Sequence, residues 1–131
     1  MTLPNGAGGY QVGDGNINQA NLGVQAIPVD YTAAATLTPL DLEQGIIVYT
    51  AAGNNNLTLP TVADVNTRVR SARVGSCFDF SLLCTSTGVG TLTAGTGWTI
   101  VGGGAGVATG AVQFRAVKTG DATYSLNRIA N

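Results

Sequence analysis

Beyond residue 32 the chain is built from short runs in which apolar and polar residues alternate, each run cut off by glycine, proline or asparagine, and this pattern predicts strands joined by tight turns. The clearest run is Ser76 to Thr85, where Phe78, Phe80, Leu82 and Cys84 alternate with Cys77, Asp79, Ser81 and Leu83. Phe78 and Phe80 are therefore expected in the core. Further strands are predicted at Ala33 to Leu37, Ile46 to Thr50, Asn56 to Leu59, Thr91 to Thr93, Trp98 to Val101, Gly106 to Thr109, Val112 to Lys118 and Thr123 to Ile129. About eight short strands at intervals of about 8 to 12 residues predict an all-β domain, a β-sandwich or jelly-roll-like fold.

Helical signals are sparse. Thr38-Pro39-Leu40-Asp41 carries a capping Thr, a Pro at the first helical position and an acid in the first turn, and Gly45 stops it after about one and a half turns. Thr61 with Asp64 repeats the cap, and Val62, Val65, Val69 and Ala72 recur at helical spacing until Gly75. This second stretch is expected to be the one short helix, in a crossover, with Arg68, Arg70 and Arg73 on its exposed side.

Residues 1–31 follow neither period and are rich in glycine, asparagine and glutamine, yet hold apolar Leu3, Tyr10, Val12, Ile17, Leu22, Val24 and Ile27. Disordered tails are usually poor in such residues. The stretch is expected to be an extended N-terminal arm, able to reach roughly 100 Å at about 3.3 Å per residue and to order on a partner. The division is thus 1–31 arm and 32–131 β-sandwich domain.

Composition narrows the role. The 131 residues include 19 glycines and no histidine, and charged residues make up only 10%, against roughly 25% in soluble proteins. So little charge suggests surface buried against other copies or another protein. The net charge of −1 conceals an acidic first half, Asp14 to Asp64, and a basic second half that starts at Arg68, and opposite charges can meet between identical subunits. Without histidine there is no Ser-His-Asp or Cys-His arrangement and no imidazole metal site. A carboxylate pair, Asp41 with Glu43 or Asp79 with Asp121, would need a deep groove of polar and aromatic residues to cleave glycosides. The GNNN turn at 53–56 lacks the clustered acids of a calcium site. The glycine run at 102–106 lacks a following lysine and helix and is expected to be a hairpin loop. Cys77 and Cys84 lie on one predicted strand about 23 Å apart, too far to pair. No signal peptide and no apolar run of membrane-spanning length is present, so synthesis in the cytoplasm is expected.

The opening TLPNGAGGYQVGDGN (2–16), with AGTGWTIVG (94–102) and FRAVKTGDATYSLNRI (114–129), resembles the head decoration or cement proteins of tailed bacteriophages over about half the chain. The resemblance implies a structural virion protein, a homotrimer on the outer capsid surface held by contacts to the major capsid protein, with no enzyme activity and no cofactor. No nucleic acid, membrane or small-molecule substrate is expected as a partner. Capsid or subunit contacts are assigned to Leu3, Tyr10, Val12, Ile17, Leu22, Arg68, Arg70 and Arg73. Another virion β-module, such as a head fibre, tail or receptor- or carbohydrate-binding module, is the alternative, and a self-assembling shell protein a third.

Overall fold

A computed structural model describes residues 23–130; residues 1–22 and 131 lie outside the described residues. Nine strands and two short helices follow in the order β1 (Asp30–Tyr31), β2 (Ala35–Thr36), α1 (Pro39–Glu43), β3 (Ile46–Tyr49), β4 (Asn55–Thr58), α2 (Val62–Arg68), β5 (Cys77–Cys84), β6 (Gly90–Thr93), β7 (Trp98–Val101), β8 (Gly110–Gly120) and β9 (Thr123–Ala130). They form an all-β domain of two sheets, one of six strands in the order β1-β3-β5-β8-β9-β7 and one of three in the order β2-β4-β6.

The first six strands wind rather than zigzag. The chain passes from the large sheet to the small one and back, so β1, β3 and β5 pair in parallel, as do β2, β4 and β6. A parallel pair needs a long crossover, and here each crossover runs through a strand of the other sheet, with α1 inserted in the first and α2 in the second. Inward positions stack along the winding: Ala35 faces Leu57, and Leu57 faces Leu92. The antiparallel β5-β8-β9 set completes the large sheet, and β7 adds to β9 in parallel.

Both sheets and both helices bury side chains in one core. Tyr49, Leu57, Phe80, Leu82, Leu92, Phe114, Tyr124 and Leu126 are buried, together with Leu42 from α1 and Val62 and Val65 from α2. The alternation along β5 holds: Phe80, Leu82 and Cys84 are buried, Phe78 half-buried and Cys77 exposed. Phe80 stacks on Phe114 at 5.8 Å between ring centroids. Trp98 packs on Tyr124 at 5.2 Å, and its indole Nε1–H donates to the Pro60 carbonyl at 2.6 Å. Because that carbonyl belongs to a buried residue, Trp98→Phe leaves an acceptor unpaired and is expected to lower stability by about 1–3 kcal/mol. A denaturation midpoint equal to that of the wild type would contradict this.

The cap signals appear as expected. Thr38 and Asp41 form a reciprocal capping box on α1, with Thr38 N–H donating to Asp41 Oδ2 at 3.0 Å and Asp41 N–H to Thr38 Oγ1 at 3.3 Å. Thr61 caps α2 by accepting from Asp64 N–H at 3.2 Å. Gly97, in the turn before β7, has φ +93°, and a Cβ there would lie 2.6 Å from the Ala122 carbonyl oxygen. Only glycine fits both demands.

The structure corrects four expectations. The described residues hold two helices, not one, because the signal at Thr38 to Asp41 completes a helical turn of its own. The second helix ends at Arg68, not near Gly75, since its cap residue Val69 leaves helical geometry at φ −111°, ψ 69°. Gly106 to Thr109 is not a strand. Gly102 and Gly103 take positive φ and direct the run along the outer edge of β6, where Leu92 N–H donates to Gly104 O at 2.8 Å and Gly106 N–H to Gly90 O at 2.9 Å. The glycine run thus covers an edge that would otherwise be open, and is not the free hairpin loop expected. Asp30 and Tyr31, the last two residues of the 1–31 segment, form β1 beside β3.

Candidate interaction surface

No helix among the described residues is long and apolar enough to cross a membrane, and no group of three or more Cys, Asp or Glu among them could hold a metal ion. The features that stand out are a bare apolar segment and an apolar pocket.

The segment is 23–29, which has no regular secondary structure and lies exposed except for half-buried Pro28. Val24 is 103% exposed and Ile27 91%. A residue preceding proline is confined to extended backbone, so Ile27 is held extended by Pro28. Two ties fix the segment to the domain. Gln25 Nε2 donates to Gln44 O at 2.8 Å, and β1 pairs with β3 directly after Val29. β1 is itself anchored, because the Tyr31 hydroxyl donates to the Asp41 carboxylate. Burial, reinforced by that carboxylate, holds the Tyr31 hydroxyl far above its ordinary pKa, so it stays a donor.

The pocket lies between α1, α2, the loop that follows α2 and the first residues of β5, with a volume of about 270 Å³. Val65, Val69, Ala72 and Phe78 make its apolar wall, and Tyr124 from β9 lines it too. The helical spacing of Val65, Val69 and Ala72 outlasts the helix because it serves this wall. Tyr124 is 1% exposed, and burial raises its hydroxyl pKa; the hydroxyl has no hydrogen-bond partner among the described residues. Lys118 Nζ lies 5.8 Å over the Tyr124 ring and donates to Asn66 Oδ1 at 2.9 Å, tying α2 to the β8–β9 hairpin. Exposed Cys77 stands among the lining residues, whereas Cys84, at the far end of β5, is buried.

The three arginines have separate situations. Arg68 lines the pocket and grips Glu43 with Nε–Oε2 at 2.6 Å and Nη2–Oε1 at 3.3 Å, an ion pair within the chain. Arg70 Nε donates to the Thr67 carbonyl at 3.2 Å. Arg73 is exposed on the same loop, whose Ser71 and Ala72 line the pocket. Arg70 and Arg73 pair with no carboxylate among the described residues. Leu3, Tyr10, Val12, Ile17 and Leu22, the other residues assigned to contacts, lie outside the described residues.

Three of the four acids considered for catalysis are engaged elsewhere. Asp41 is buried in the α1 capping box and accepts from Tyr31, and Glu43 holds Arg68. Asp79 faces Arg115 across β5 and β8 with Nε–Oδ1 at 2.7 Å, while Asp121 lies beyond Gly120 in the β8–β9 turn. Hydrogen bonds from Arg68 and Arg115 lower the pKa values of Glu43 and Asp79. A carboxylate whose folded pKa lies below its unfolded value stabilises above the unfolded pKa and loses that contribution as pH falls through the folded one. The melting temperature is therefore expected to fall modestly as pH drops below about 4, and Glu43→Gln with Asp79→Asn to flatten that slope. An unchanged slope in the double variant would contradict the assignment.

The 53–56 turn is held by its own amides: Asn54 Oδ1 accepts Val89 N–H at 2.8 Å, and Asn55 Nδ2 donates to the Tyr49 hydroxyl at 2.8 Å. Tyr49, Trp98 and Tyr124 are core residues, so no exposed aromatic platform arises from them. The sequence singled out the arginines but not the pocket, whose walls come from four separated stretches. Its one visible sign was the valine spacing continuing past the helix.

No protein-family model matches the chain, and neither a curated protein nor a solved structure matches it.

Proposed function

We propose that this chain is a structural virion protein of a tailed bacteriophage that binds the outer capsid surface as an oligomer, most simply a homotrimer, and stabilises the major capsid protein lattice. The observation that carries the reading is the exposed segment 23–29, with Val24 and Ile27 almost wholly in solvent, leading out of an edge strand. Apolar side chains displayed in solvent suit attachment to a partner, and the restriction of Ile27 by Pro28 lowers the conformational entropy lost there on docking. The low charge of the chain and the resemblance of its 2–16, 94–102 and 114–129 stretches to cement proteins support the same reading. Attachment at several sites by one oligomer raises effective concentration, so each contact can be weak. A carbohydrate-binding module is less well supported, because such sites use exposed aromatic faces and Trp98 is buried. Molar mass in solution gives a first test. A trimer at tens of micromolar is the expected result, and a monomer at that concentration would overturn the oligomeric part of the proposal.

A further inference from the structure

We propose that the pocket between α2 and the start of β5 is the seat for the Val24–Ile27 stretch of a second copy of this chain, so that copies interlock by exchanging their 23–29 segments. The inference deepens the oligomeric part of the proposed function and needs no capsid. Four observations carry it. Within its own chain the segment covers neither Val24 nor Ile27, at 103% and 91% exposure, while Pro28 biases Ile27 to extended backbone and the segment is tethered at Gln44 and β1. The pocket offers what those side chains lack, an apolar wall of Val65, Val69, Ala72 and Phe78 around about 270 Å³. That exceeds the roughly 150 Å³ of an apolar cavity that admits benzene, so a branched aliphatic side chain fits with room for its backbone. Charge agrees: Asp30 follows the segment and no base lies within it, whereas Arg70 and Arg73 stand on the loop that forms the pocket wall and pair with no described carboxylate. The Tyr124 hydroxyl supplies a donor for a carbonyl of the incoming extended backbone.

Exchange between copies places Ile27 of one chain near Cys77 of the next, and Cys77 is exposed at the pocket. The test is oxidation of full-length Ile27→Cys with diamide, followed by a non-reducing gel. Linked dimers and higher species are expected, and their loss when Cys77→Ser is added, because Cys84 is buried and cannot substitute. Ile27→Asp, a change at a solvent-exposed position that leaves the core intact, is expected to weaken self-association at least tenfold by sedimentation. A link confined to one chain, no link at all, or dimers that persist with Cys77→Ser would each overturn the exchange. If any of these occurs while the wild-type chain still sediments as a trimer, the seat is wrong and the oligomeric reading stands. A wild-type monomer overturns both.

Discussion

Phe80→Ala is expected to cost about 3–5 kcal/mol. Phe80 is 1% exposed, stacks on Phe114 at 5.8 Å and lies 6.3 Å from Phe78 between centroids. It sits midway along β5, the strand that joins the parallel winding on one side to the antiparallel β8–β9 hairpin on the other. Strands bonded on both sides cannot close in to fill the space a lost ring leaves, so the cavity term persists. Denaturant unfolding should show a lower midpoint with little change in slope. Phe78→Ala, at a half-buried position on the pocket wall, is expected to cost less. A midpoint for Phe80→Ala near that of the wild type would mean that the register pairing Phe80 with Phe114 is wrong.

Deleting residues 2–24 is expected to leave the domain folded but to weaken self-association or capsid attachment at least tenfold. Every buried core residue among the described residues lies between Leu37 and Leu126, so Gly23 and Val24, the described residues the deletion removes, take none of it away. Val24, the described apolar residue lost, is wholly exposed and contributes no burial within its own chain. Apolar side chains lower the free energy only where a surface covers them, and ordering a glycine-rich segment on such a surface must be offset by that contact. Circular dichroism and melting should match the full chain, while sedimentation and capsid binding should not. Equal oligomer stability and equal binding would sink the attachment role proposed for the segment.

What could be read in advance follows the range of the forces involved. The helix caps at Thr38 and Thr61 and the alternation along β5 depend on neighbours a few residues away, and they stand in the structure. The parallel winding does not: β1 and β2 have two residues each, too few for a periodic signal, and their pairing rests on partners far along the chain. The end of α2 was misread because Val69 and Ala72 keep the helical spacing for a different reason, the wall of the pocket. Gly106 to Thr109 resembles a strand in composition, yet the positive φ of Gly102 and Gly103 sends the chain along the edge of β6 before it turns into β8. The pairing of Arg68 with Glu43 joins two helices whose contact no local pattern records.

Occupancy on capsids tests the central claim most directly. Under the proposed function, purified full-length chain is mixed with undecorated tailed-phage capsids, the capsids are sedimented, and bound protein is counted per capsid protein subunit together with the temperature at which the shells disrupt. Saturable binding at a fixed stoichiometry, with shells that survive to higher temperature, is the predicted result. Absence of binding at concentrations where the chain is oligomeric, or binding that leaves shell stability unchanged, would contradict it.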